Sequence, residues 1–321
     1  MKNSGQRTKE DTIATLKHYS AVILLGIMLL LNLFITPNFF RIGTVWNIVT
    51  QTCTIILTGM GMTAVISTGG IDISVGAVMA LAGIISAKLL ETVGLVPAII
   101  IAVLICSISG MIAGFMVGKL KVQAMVVTLA LMIGVRGVAQ LINDAKIFYI
   151  SGPHAETYKK LGTAKIGGLL PIQLIIIVIA VAVTWFILEK TILGRHIQAV
   201  GDNPKSALLA GISATKTLMF VYIYSAVFAA FAGIVASAKI GAADGNSLGL
   251  LSELDAIAAV AVGGTSMSGG RAKVFGTVIG ALIMQLINIT VNMNNITYEY
   301  AQVLKAIIIV LAVYIQRDKV A

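Results

Sequence analysis

The chain has 321 residues, of which 58% are hydrophobic and only 11% charged, with a mean hydropathy of +0.98. Soluble domains carry roughly a quarter charged residues, so a soluble enzyme, a secreted disulfide scaffold and a disordered tail protein are all excluded. The formal charge of +10 does not indicate nucleic acid, because the basic residues sit singly between apolar blocks and form no basic, aromatic-interleaved stripe.

A helix needs about 20 mainly apolar residues to cross roughly 30 Å of hydrocarbon. Blocks of that kind fall at 19–36, 47–67, 71–90, 95–118, 122–143, 170–188, 217–238, 253–268, 273–291 and 298–316. The expected fold class is therefore all-α, a polytopic transmembrane bundle of about ten spans. The third and eighth blocks are short and rich in Gly and Ser. The apolar run 21–34 follows a basic start, but Thr36-Pro37-Asn38 offers no small-residue cleavage site, so it reads as an uncleaved first span. Residues 1–18 and 317–321 then become tails flanking a transmembrane domain over 19–316. Lys119, Lys121, Lys190, Arg195, Lys205, Lys216, Arg271 and Lys273 share one side if the N-terminus is cytoplasmic. By the positive-inside rule both termini are placed there.

Two loops are long. The outer one, 144–169, carries a Gly152-Pro153 turn signal. The inner one, 189–216, contains Gly201-Asp202-Asn203-Pro204 and then Lys205 to Gly211. Pro204 suits a first helical turn and Gly211 a helix stop, so a short helix along the membrane surface is expected. An ordinary connecting loop is the alternative. An internal echo also runs through the chain. Gly69-Gly70, Gly76 and Val78 recur at constant offset as Gly269-Gly270, Gly276 and Val278, and transporters are often built from repeats with broken segments in matching positions.

Catalytic signatures are missing. No Gly-x-x-x-x-Gly-Lys precedes Ser or Thr, so no P-loop is present. His18, His154 and His196 are scattered, and Cys53 and Cys106 lie in apolar blocks as small hydrophobes; no metal centre, cofactor or catalytic residue is expected. Gly264-Thr265-Ser266-Met267-Ser268 lacks the second glycine of a nucleophile elbow. Asn288-Ile289-Thr290 and Asn295-Ile296-Thr297 spell glycosylation sequons incidentally. Ionisable groups inside spans are costly and normally face the bundle interior or water. Asp72, Arg136, Glu253, Asp255 and Lys305 are such groups. A polar path or gate accounts for them, as does internal pairing that fixes helix packing. Gly110, Gly114 and Gly118, and again Gly276 and Gly280, have the spacing that lets helices approach closely. Trp46 and Trp185 sit near span ends, as interfacial anchors do.

These residues also carry a resemblance. Thr68-Gly69-Gly70-Ile71-Asp72-Ile73-Ser74-Val75-Gly76 resembles the Gly-[Ile/Thr]-Asp-Leu-Ser-x-Gly hallmark of ribose-type sugar ABC importer permeases. Leu193-Gly194-Arg195 with Ala199-Val200-Gly201-Asp202-Asn203 resembles that family's inner loop. Glu253-Leu254-Asp255-Ala256-Ile257, then Gly263-Gly264-Thr265-Ser266 and Gly269-Gly270, resembles its third signature. Within the family, Arg136 to Ile142 and Gly241-Ala242-Ala243-Asp244 look most like the galactofuranose permease.

The resemblance implies transport of a monosaccharide, galactofuranose, galactose or ribose-like, across a bacterial inner membrane. It implies an ATP-binding subunit on the cytoplasmic face, a periplasmic or lipid-anchored sugar-binding protein outside, and a second permease chain, with membrane lipid around them. The 190–216 loop would couple to the ATPase through Gly201, Asn203, Lys205, Ala207 and Gly211. Relatives often place Glu-Ala-Ala near Asn203, where this chain has Pro204-Lys205-Ser206-Ala207. Candidates for the path or gate are Asp72, Ser74, Arg136, Gln140, Glu253 and Asp255. Two other readings stay open: an autonomous ion-coupled transporter using an intramembrane carboxylate, and an importer for a nucleoside, inositol or a signalling sugar.

Overall fold

The computed structural model describes residues 20–316; both expected tails lie outside the described residues. The helices, in order, are α1 (Ser20–Ile35), α2 (Ile42–Ser67), α3 (Val75–Val93), α4 (Leu95–Gly118) and α5 (Ala124–Ile142), then α6 (Ala155–Thr163) and α7 (Ile172–Trp185). Helix α7 runs on into a π-helical turn, Phe186–Lys190. They are followed by α8 (Ile192–Asp202), α9 (Pro204–Leu209), α10 (Ala214–Ile240), α11 (Ser252–Val262), α12 (Val274–Met293) and α13 (Tyr298–Gln316). Among the described residues, seven helices are long and apolar enough to cross a membrane. Helical secondary structure is what a lipid-embedded chain must adopt, since hydrocarbon offers no partners to backbone N–H and C=O groups.

The all-α reading needs additions. Strands β1 (Ile147–Tyr149) and β4 (Ala242–Asp244) form an antiparallel ribbon with Phe148 opposite Ala243. Strands β2 (Lys165–Ile166) and β3 (Leu170–Pro171) form a second one. Both are too short to leave a periodic sequence signal. The eighth block also needs correction. Helix α11 has 11 residues, about 16 Å at 1.5 Å per residue, and the chain from 263 to 273 is irregular. The third block begins late, because 71–74 belong to a break that precedes α3. The inner loop holds two helices where one was expected; the α9 boundaries match the Pro204 and Gly211 signals.

Burial separates centre from periphery. The spanning windows of α2 and α3 are 78% buried, whereas those of α5 and α7 are 22% buried and present apolar side chains outward. Helix α10 lies against α2, α3 and α4. Its contact with α4 follows the predicted glycine spacing: a Cβ on Gly110 would lie 2.8 Å from Ile223 Cα, one on Gly114 2.5 Å from Met219 Cα, and one on Gly118 3.1 Å from Thr215 Cα. Helix α6 caps the opposite end from α8. The buried Tyr158 hydroxyl bridges Ser86 on α3 and Ser237 on α10, at 2.7 Å each. Helix α1 is joined to α12 by side-chain bonds: Thr290 donates to Asn32 Oδ1 and Asn294 Nδ2 to Thr36 Oγ1, each at 2.8 Å.

Substituting Gly114→Leu forces a side chain into the Met219 backbone and costs about 1–3 kcal/mol or more by overpacking. Thermal unfolding of the detergent-solubilised chain reads this as a lower midpoint. Gly134→Leu, at a position with no neighbour within 4 Å, leaves the midpoint unchanged.

Candidate translocation gate and coupling surface

The segment between α2 and α3 is a break stitched by its own polar groups. Thr68 donates its hydroxyl to Val65 O at 2.7 Å, and Gly69 turns the chain at φ +76, where a side chain would be strained. Asp72 then enters the interior and is 2% exposed. Its Oδ1 accepts from the Ser74 amide at 3.0 Å and the Ser74 hydroxyl at 2.6 Å, and its Oδ2 from the Ser225 hydroxyl on α10 at 2.8 Å. Thr128 on α5 donates to Ile71 O at 3.3 Å. Asp72 and Ser74, both read as gate candidates, are therefore bonded to each other. Ser225 and Thr128 were missed, since a lone hydroxyl in an apolar helix also bonds readily to its own backbone.

The second break, 263–273, separates α11 from α12. Gly264, Gly269 and Gly270 have φ values of +89, +97 and +98, and the buried Thr265 hydroxyl accepts from the Lys273 amide at 3.0 Å. The two breaks touch. Gly270 N donates to Ser67 O at 2.9 Å, and Gly69 faces Ser268 O. Segments that echo each other in sequence thus meet in space. Gly201, at the end of α8, is wedged into the same junction. A Cβ there would overlap Ser67 O and lie 2.6 Å from Gly270 N, and one on Gly269 would lie 2.8 Å from Gly201 O.

The other candidates form separate groups. Arg136 on α5 donates through Nη1 to the carbonyls of Gly245, Asn246 and Leu248 at 3.1, 3.2 and 3.2 Å. Gln140, one turn on, donates to Asn246 Oδ1 at 3.0 Å. Glu253 is buried on α11 and is attracted electrostatically to Arg136. Its carboxylate abuts Gly76 in the first turn of α3. Asp255 belongs elsewhere: Lys305 on α13 donates to its Oδ1 at 2.6 Å. Arg136 does not pair with Asp72, whose bonds go to Ser74 and Ser225. Asp244 organises the loop beneath Arg136, accepting from Asn246 N and Asn246 Nδ2 at 2.9 Å each and from Ser247 Oγ at 2.5 Å. Burial pushes the Asp244 carboxyl up, but these hydrogen bonds together outweigh it and hold the group below its usual range.

At the α8 end, Thr191 caps α8 and the Asn203 side chain caps α9, accepting from the amides of Lys205 and Ser206 at 3.0 and 3.1 Å. Ala207 is buried beneath α9. Gly211 has φ +78 and its amide bonds Leu208 O at 3.0 Å while Ile212 N bonds Ala207 O at 2.9 Å, closing the helix as the glycine signal predicted. Lys205 is exposed, and so are Leu208 at 67% and Leu209 at 90%. Of the five residues assigned to coupling, Gly201 and Ala207 thus face inward, Asn203 and Gly211 shape the turn, and Lys205 is on the surface. The two exposed leucines were not singled out, because apolar residues in this sequence are expected to be covered by lipid or protein.

Comparisons with known proteins give the class to which this bundle of apolar helices belongs, a membrane permease component. Residues 44–313 match the family model described as "Branched-chain amino acid transport system / permease component", and the chain belongs to that family. The ribose import permease protein of Haemophilus influenzae is 37% identical over 294 residues, covering 91% of this chain and 89% of its own length. The galactofuranose transporter permease protein of Escherichia coli is 36% identical over 309 residues, covering 93% and 89%. The galactose/methyl galactoside import permease protein of Salmonella typhimurium is 31% identical over 333 residues, covering 98% of each. No solved structure matches the chain.

Two measurements check this geometry. Ser225→Ala deprives Asp72 Oδ2 of its donor and lowers stability by about 1–3 kcal/mol, read by thermal unfolding, while Ser107→Ala, whose hydroxyl bonds only its own helix, has little effect. Because folding depresses the Asp244 carboxyl, its ionised form stabilises the 244–248 turn above the unfolded value near 4, and that stability is lost as pH falls through this range. After correction for the intrinsic pH dependence of exchange, the protection of the β1 and β4 amides should fall as the pH drops below about 4, and Asp244→Asn should remove much of the difference.

Proposed function

We propose that the chain is the permease subunit of an ATP-binding-cassette importer, carrying a monosaccharide of the ribose or galactose type handed over by an extracytoplasmic binding protein. Relatives named for ribose, galactofuranose and galactose support the cargo class. In this reading residues 19–316 cross a bacterial inner membrane about ten times, α11 with its break counting as one pass, and both tails face the cytoplasm. The concentration of basic residues around α8, α9 and the second break favours that orientation. Two permease chains would flank the path, and ATP would be hydrolysed on a separate subunit.

The observation that carries the proposal is the junction of Gly201 with Ser67 and Gly270. An ATPase docked on Leu208, Leu209 and Lys205 moves α9 and α8 when it binds nucleotide. With no clearance at Gly201, that displacement reaches both breaks at once, because close-packed contacts transmit strain and do not absorb it. The breaks are where helix ends can tilt without unzipping a continuous backbone ladder. Asp72 with Ser74, and Arg136 with Gln140 and Glu253, then offer polar stations on either side of the tilting segments. Their hydrogen-bonding capacity is largely spent internally, which suits a weak, transient hold on a neutral sugar better than a tight site.

Burying a leucine contributes about 1.5–3 kcal/mol, so Leu209→Asp should weaken co-purification of the ATPase subunit at least about tenfold while the permease stays folded. Gly211→Pro, which removes an N–H and cannot adopt φ +78, should do the same. Full retention of the ATPase by both variants would refute the docking surface. Sugar uptake by this chain alone in vesicles, driven by a proton or sodium gradient, would replace the importer with the ion-coupled reading.

A further inference from the structure

The α8 end holds a feature that moving a neutral sugar does not require. A cavity of about 270 Å³ opens between the end of α7, the first turns of α8 and the second break, with Glu189, Lys190, Arg195, Gln198, Gly270 and Arg271 in its lining. Three cations thus face one carboxylate. Glu189 is already engaged, accepting from the Trp185 indole N–H at 3.1 Å, and the Lys190 ammonium sits 5.0 Å above the centre of the same ring. Arg195 and Arg271 form no ion pair among the described residues. The Asp202 carboxylate, beside Gly270, does not line the cavity.

Basic residues are ordinary on a cytoplasmic face. Two arginines without an ion pair, lining one concavity from two separate elements, are not accounted for by that rule. Each guanidinium presents a planar fork of donors that matches phosphate oxygens in pairs, which an ammonium cannot do. The first turn of α8 also lines the cavity, through Gly194 and Arg195, and adds the positive end of its dipole. The volume accommodates a phosphate ester. We propose that this cavity binds a phosphate-bearing anion that bridges Arg195 on α8 to Arg271 in the second break. The regulatory role rests on the sugar-importer reading: there the cargo is neutral, so the anion is a regulator. It clamps α8 to the break that α8 must displace, and it slows transport when bound. The headgroup of an anionic lipid and a soluble phosphate monoester both supply this chemistry.

Binding is read on the permease alone, so the result is independent of the importer reading. The full chain in phosphatidylcholine nanodiscs is titrated with inorganic phosphate and with hexose 6-phosphate, following thermal unfolding. In parallel, chain in nanodiscs containing phosphatidylglycerol is compared with chain in phosphatidylcholine, and retained lipid is weighed by native mass spectrometry. A rise in midpoint with the soluble anions assigns the site to a metabolite-like ester; retained phosphatidylglycerol with a raised midpoint assigns it to lipid. In either case the Arg195→Gln/Arg271→Gln double variant should bind at least fivefold more weakly, and Lys146→Gln, at the opposite end, should bind as the unaltered chain does. Should the double variant not fold, Arg271→Lys, which keeps the charge but loses the fork, is read in its place and should weaken binding at least twofold. No response to any probe, or the same response in the arginine variant, overturns the proposal.

Discussion

The contact on which the rest depends is one backbone hydrogen bond with no space around it, Gly270 N to Ser67 O at 2.9 Å, with the Gly201 backbone pressed against both residues. Three segments far apart in sequence share this point: the end of a central helix, an irregular loop and the end of a surface helix. Two of the three contribute glycine there, Gly201 and Gly270, and Ser67 contributes its carbonyl. Packed interfaces of this kind switch between discrete arrangements more readily than they deform. In the proposed coupling, a push on the surface helices appears as movement of both breaks.

Such breaks exist inside the bundle only because their freed polar groups are satisfied by neighbours. The first relies on Thr68 and Thr128, which donate to backbone carbonyls, and on Ser74 and Ser225, which donate to Asp72; the second relies on Thr265 and on the first. Tyr222 marks a tension in this arrangement. Its hydroxyl is buried without a partner and occupies the space that a Cβ on Gly70 would need, 2.6 Å away. A side chain at Gly70 would thus have to displace the Tyr222 hydroxyl, one helical turn before Ser225.

Much of the fold was legible because lipid imposes a simple rule: long apolar blocks become helices, and their order along the chain follows. The Gly110, Gly114 and Gly118 spacing likewise announced the contact that α4 makes. What failed did so where that rule weakens. Block 253–268 reads as one apolar stretch, yet Gly263 and Gly264 end the helix, because hydropathy averages over a backbone interruption. In the candidate site the charged residues were legible and their partners were not. Arg136 binds three carbonyls, which no sequence pattern marks, and Asp255 meets a lysine 50 residues on. Gly201 was assigned to coupling by resemblance; its place at the junction follows from close packing that only the three-dimensional arrangement reveals.

The clasp between α1 and α12 has a bearing on how the chain is made. Thr290 lies 258 residues after Asn32, so a ribosome delivers the first helix to the bilayer long before its companion emerges. An amide stranded in hydrocarbon for that interval would be expensive. Asn32 avoids this locally: its Nδ2 donates to Met28 O at 2.9 Å and its Oδ1 accepts from Thr36 at 2.8 Å. The first helix can therefore wait in the membrane with its polar groups internally quenched, and trade nothing away when the ninth apolar block arrives to close the edge of the bundle.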